Sequence, residues 1–140
     1  MTEHGAHVVD DYAHHPTEVA ATIAASRDLN AKRVVAVFQP HLFSRTEHLA
    51  RRFGEALAQA DVPAVLEVYP ARERQEDFPG VTGRLVAEAA YDAGDGKPVL
   101  WLPDFDTAET VLGAELRAGD LCLVLGAGNV DALGRRLASG

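Results

Sequence analysis

Arg33-Val34-Val35-Ala36-Val37-Phe38-Gln39 runs straight into Pro40-His41-Leu42-Phe43-Ser44-Arg45, and Leu49, Phe53 and Leu57 then recur at four-residue steps. The run from Val34 to Phe38 is continuously apolar and partly β-branched, the pattern of a strand covered on both faces. The steps of four put three large side chains on one stripe of a helix predicted from Arg45 to Ala60. A strand that passes through a short polar turn into an amphipathic helix is one half of a β-α-β unit.

The same alternation extends in both directions. Strand-like runs occur at His7–Tyr12, Ala64–Tyr69, Pro98–Leu102 and Asp120–Leu125. Helical periodicity covers Pro16 to about Leu29, Thr82–Ala93, Thr107–Leu116 and Asn129–Ala138. Pro16 suits a first helical turn, where its missing N–H does no harm. Asp106 with Glu109 three residues on has capping-box spacing. The repeated β-α pattern predicts an α/β fold: a three-layer, Rossmann-like domain with a mainly parallel, twisted sheet of five to six strands and right-handed crossovers.

Composition narrows the function. The chain has 140 residues, 13 Lys and Arg and 21 Asp and Glu, a net charge of −8. That balance argues against a nucleic-acid module, which needs a basic face. Cys122 is the only cysteine and lies in an apolar run, so neither an internal disulfide nor a cysteine zinc cage is possible. The N-terminus lacks a basic start followed by an apolar core, and no apolar stretch is long enough for a membrane helix. These features predict a soluble cytoplasmic protein with no membrane contact.

Open α/β sheets bind ligands beyond the carboxyl ends of their strands. Polar and ionisable residues gather at those ends: Tyr12, His14 and His15; Gln39, His41, Ser44 and Arg45; Tyr69, Arg72 and Glu73; Asp104; and Gly126, Gly128 and Asn129. Arg45 would open a helix, where a cation opposes the helix dipole. It makes sense there as an anion clamp that works with the helix N–H groups, or else as a solvated surface arginine. His14, His15 and His41 suit hydrogen bonding, acid–base work or metal ligation. Adjacent histidines diverge, and no carboxylate or cysteine stands at ligand spacing, so no metal site is expected. One of the pair suits a helix cap. Asp10 and Asp11 end an apolar strand, where a carboxylate accepts from ribose hydroxyls or helix N–H groups. Gly126-Ala127-Gly128-Asn129-Val130 reads as a tight strand-to-helix turn, because no third glycine follows. No P-loop sequence is present.

Three segments carry a resemblance beyond generic α/β. They are Asp10-Asp11-Tyr12-Ala13-His14-His15-Pro16-Thr17-Glu18-Val19, then Phe38-Gln39-Pro40-His41-Leu42-Phe43-Ser44-Arg45-Thr46, then Tyr69-Pro70-Ala71-Arg72-Glu73 followed by Pro79-Gly80-Val81-Thr82-Gly83. Gly119-Asp120 and Leu125-Gly126-Ala127-Gly128-Asn129 add a fourth. Together they resemble the C-terminal domain of the Mur ligases, in the branch that joins L-alanine to UDP-N-acetylmuramate. The resemblance places that domain at 8–140 and leaves 1–7 as a domain-boundary segment.

The resemblance implies one of three domains of an ATP-dependent ligase of peptidoglycan precursor synthesis, inactive alone and with no catalytic group of its own. ATP and Mg2+ would sit mainly on a central ATPase domain, the chief partner of this one. There the muramate carboxylate would become an acyl phosphate for attack by the L-alanine amine. By similarity, Arg45 holds the alanine carboxylate, Tyr12, His14 and His41 line that pocket, and Asp11 contacts the ATP ribose. Leu42 stands where the family often has Arg, and Phe43 where Tyr is common. Two other readings fit the residues: a related Mur ligase that attaches a peptide, and a free-standing Rossmann-type nucleotide- or anion-binding module.

Overall fold

The computed structural model describes residues 5–139. Five strands form one sheet in the order β1-β5-β2-β3-β4, every pair parallel. They are β1 (His7–Asp11), β2 (Arg33–Phe38), β3 (Val62–Leu66), β4 (Leu100–Leu102) and β5 (Asp120–Leu125). The helices between and after them are α1 (Pro16–Ser26), α2 (Phe43–Leu57), α3 (Arg84–Ala93), α4 (Phe105–Glu115) and α5 (Asp131–Ser139). The expected α/β architecture is therefore present, with a sheet of five strands that is wholly parallel. Of residues 1–7, which the sequence reading set apart from the domain, 1–4 lie outside the described residues and His7 opens β1.

Alternation along the central strands builds the three layers. Val34, Ala36 and Phe38 of β2 and Leu121, Leu123 and Leu125 of β5 face one side. There they meet Val19 and Ile23 of α1, Phe53 and Leu57 of α2, and Val86 and Ala90 of α3. Val35, Val37, Cys122 and Val124 face the other side, against Leu112 of α4 and Leu133 and Leu137 of α5. All six residues of β5 are buried, as its place between β1 and β2 requires. At roughly 25 cal/mol per Å2, each fully buried Leu or Val contributes about 1.5–3 kcal/mol before entropy is counted.

Element ends differ from the sequence reading for local reasons. Helix α2 starts at Phe43, ahead of Arg45, because Phe43 is buried in a small cluster with Val68 and Val81. Strand β3 stops at Leu66, short of Tyr69, and the Glu67 carboxylate turns to accept the Gly83 N–H at 2.9 Å. The capping box read at Asp106 and Glu109 is corrected. The cap of α4 is Asp104, whose side chain accepts from Thr107 N–H at 2.7 Å, so Asp106 already lies inside the helix.

The amino end of the sheet is closed by charge pairing. Arg33 donates to both Asp120 carboxylate oxygens, to the Glu115 carboxylate and to the Glu115 carbonyl. Lys97 Nζ donates to the Ala58 and Ala60 carbonyls, satisfying acceptors just past the end of α2. Polar groups without such partners are found at the opposite end.

Candidate functional site

Two segments extend the sheet past its carboxyl edge. Leu42 N–H donates to the Tyr69 carbonyl and Tyr69 N–H to the Pro40 carbonyl, so residues 40–42 and 69 continue the β2–β3 pairing as a bridge between His41 and Tyr69. Their rings stack at 5.7 Å, nearly parallel. Across from them, β1 ends at Asp11 and the chain turns through Tyr12, Ala13 and His14 into α1. His14 meets His41 edge-on at 6.4 Å, and Tyr12 meets His14 edge-on at 5.4 Å. Tyr12, His14, His41 and Tyr69 thus form a continuous row of rings over the ends of β1, β2 and β3.

The two histidines of the signature divide their labour. His15 caps α1: its Nδ1 accepts from Thr17 N–H, while Glu18 accepts from the His15 N–H. His14 turns toward the rim. Its Nδ1 lies 3.0 Å from the Tyr12 carbonyl, which can only accept, so the proton sits on Nδ1 and Nε2 is left as an acceptor in the neutral ring. Glu18 binds the backbone N–H groups of both histidines, which lowers its pKa.

Arg45 occupies the first turn of α2. Its Nη1 is buried without a hydrogen-bond partner, as are His41 Nδ1 and Gln39 Oε1. Among the described residues no ion pair involves Arg45. Buried polar atoms in native folds are nearly always paired, and each orphan costs about 1–3 kcal/mol. Two of these atoms, Arg45 Nη1 and His41 Nδ1, belong to residues close enough for the arginine's charge to act on the imidazole. Burial first, then the charge of Arg45 and, when it is protonated, that of His14, hold the His41 imidazole below its ordinary value, while Glu73 pulls the other way. The ring is therefore neutral at pH 7.

The sequence reading paired the Arg45 guanidinium with the N–H groups at its helix terminus. The structure gives one of those groups to the protein itself: Ser44 N–H donates to Glu73 at 3.0 Å, and the Ser44 hydroxyl donates to its other oxygen. Asp11 is likewise engaged, its carboxylate accepting from Ala13 N–H at 2.8 Å and from the Thr22 hydroxyl at 3.5 Å. It lies at the wall of a cleft of about 330 Å3 shared with Tyr12, Gly126, Gly128 and Asp131. The glycine turn is tight for a packing reason. A Cβ on Gly128 would stand 2.6 Å from the Tyr69 ring and 2.7 Å from Gln39 Oε1. Gln39, only 4% exposed, donates its amide to Asn129 at 2.8 Å and so ties β2 to that turn.

Tyr12, His14, His41 and Arg45 are thus brought together, and Asp11 lies beside them. Gln39, Tyr69, Glu73 and Asn129 join them, although the sequence assigned them no role. The signal for all four was position alone, since each closely follows a strand. Among the described residues no group of three His, Cys, Asp or Glu side chains is placed to hold a metal ion. No described helix is long and apolar enough to cross a membrane.

The model of the Mur ligase, glutamate ligase domain, family matches residues 1–128. The chain belongs to the Mur ligase C-terminal domain family. This Mur ligase domain is 53% identical over 133 residues to the UDP-N-acetylmuramate–L-alanine ligase of Chlorobaculum parvum, and 48% over 135 residues to that of Streptomyces coelicolor. The alignments cover 94% and 95% of the chain but only 28% of each relative's length. Among solved structures, the UDP-N-acetylmuramate–alanine ligase of Thermotoga maritima superposes with TM-score 0.74 at 25% identity, over 98% of this chain and 27% of that one. A murein peptide ligase from Psychrobacter arcticus has the same fold, with TM-score 0.74 at 20% identity over 97% of this chain and 27% of its own. These relatives do not favour the reading of a free-standing nucleotide- or anion-binding module.

Proposed function

We propose that this Mur ligase domain supplies the amino-acid half of the reaction that joins L-alanine to UDP-N-acetylmuramate, and that it does nothing alone. The observation that carries the reading is the pair of buried, unpartnered nitrogens, Arg45 Nη1 and His41 Nδ1, at the carboxyl edge. A guanidinium held without an internal anion is suited to a ligand carboxylate, which it binds in a planar two-point fashion. A neutral imidazole beside it does not repel an incoming ammonium group. The rings of Tyr12 and His14 continue the rim beside His41. The relatives named above as L-alanine ligases favour that substrate over a peptide.

The clamp acts by positioning. Holding the amine against an activated carboxyl group turns a bimolecular encounter into an intramolecular step, which can be worth several kcal/mol. ATP, bound with Mg2+ mainly on the central domain, supplies the phosphoryl group that activates the muramate carboxylate. Asp11 fits the ribose in part: its Oδ1 accepts from Ala13 N–H at 2.8 Å, its Oδ2 is held only by the Thr22 hydroxyl at 3.5 Å, and it borders an open cleft. Placed at the domain rim, these groups would meet the central domain on closure, which excludes water from the activated carboxyl group. A cytoplasmic location follows from that chemistry.

Arg45→Ala in the full-length ligase tests the reading. The expected result is a KM for L-alanine raised roughly a hundredfold, the loss of a charged, bidentate contact, with the KM for ATP little changed. Equal effects on both substrates would remove Arg45 from the amino-acid site.

A further inference from the structure

Helix α2 begins badly by its own means. Its N-cap is Leu42, which has no side-chain acceptor and a backbone φ of 72°, a conformation that L residues rarely adopt. The missing cap arrives from 29 residues away. Glu73, on the loop after β3, accepts from the backbone N–H and the hydroxyl of Ser44, the residue directly before Arg45. The loop is shaped for this: Glu73 N–H closes a turn onto the Pro70 carbonyl, and Ala71 adopts φ 53° within it. The same loop carries Tyr69, the ring stacked on His41. One carboxylate thus joins the segment that aims Arg45 to the segment that supports His41.

Each Glu73 oxygen accepts one hydrogen bond from Ser44, and among the described residues Arg45 forms no ion pair and its Nη1 remains without an acceptor. We infer that Glu73, pinned by Ser44, is a positioning residue for the amino-acid subsite: it fixes the first turn of α2 while leaving Arg45 unpaired for the substrate carboxylate. The inference rests on the amino-acid reading of the site given above.

Steady-state kinetics of the full-length ligase with L-alanine and ATP test it, using Glu73→Ala, Arg45→Ala and the double variant. Glu73→Ala is expected to raise the KM for L-alanine roughly tenfold or more through misplacement of the clamp, while the KM for ATP stays within about twofold. In the double variant the effect should be no larger than in Arg45→Ala, because the two residues act through one contact. An unchanged L-alanine KM in Arg45→Ala would overturn the site reading and this inference together. A raised KM in Arg45→Ala with no rise in Glu73→Ala, effects that multiply, or equal losses for both substrates would overturn the inference alone. Should Glu73→Ala fail to fold, Glu73→Gln keeps the length and one acceptor and carries the same comparison.

Discussion

His41 shows how much of this site depends on one side chain's surroundings. Its ring is stacked on Tyr69, faces His14 and Arg45, and has one nitrogen buried without a partner. The fold therefore resists protonating it, chiefly through burial and then through Arg45 and His14. In the unfolded chain it takes up a proton near its ordinary value of 6.5, while the folded ring waits until lower pH. By linkage, folding stability is fully present above that value, falls as the pH drops below it, and stops falling below the folded pKa. Urea unfolding at about pH 7.5 and about pH 5.5 should show this loss in the natural chain and a smaller one in His41→Gln. Equal losses in both would mean that His41 titrates alike in the folded and unfolded states.

At the scale of elements, the contact between α2 and α3 is set by Gly54. A Cβ there would lie 2.5 Å from the Ala89 carbonyl carbon and 2.6 Å from the Ala90 nitrogen, both backbone atoms that cannot step aside. Gly54→Ala should cost about 1–3 kcal/mol in chemical denaturation. Gly113, inside α4, has nothing within 4 Å of an added Cβ, so Gly113→Ala should stabilise by about 0.5–1 kcal/mol. Opposite signs from one substitution separate packing from propensity. Such contacts explain what the sequence concealed. The apolar runs at Val34–Phe38 and Leu121–Leu125 announced buried strands because both of their faces needed cover. Gly54 carried no sign of the partner it accommodates. The start of α2 was misplaced because the Phe43 side chain docks on Val68 and Val81, a contact no local pattern encodes. Arg45, His41, His14 and Tyr12 were legible through position and motif. Glu73 was not, because its role lies in reaching another loop.

For the molecule as a whole, the buried polar atoms left without partners lie at one end and the middle is sealed. Cys122 probes the seal. It sits in β5, is fully buried between the two flanking strands, and burial pushes its thiol up to about 12. Only the thiolate reacts readily with disulfide reagents. Labelling in native buffer should therefore run no faster than opening of the sheet, and should complete at once in denaturant. Immediate labelling of the folded chain would show β5 to be accessible. This asymmetry of a closed centre and an unfinished rim was only half visible beforehand. That the strand ends gather together follows from parallel strands, but their spatial order does not follow from any local signal.

The strand order also bears on how the molecule is made. Within the sheet β1 pairs only with β5, and β5 alone separates it from β2, so residue 7 has no neighbour in the sheet until residue 121 exists. While this domain is being synthesised, β1 and one flank of β2 stay unpaired strand edges until β5 is complete. The sheet is complete only when residues 120–125 take their place between them.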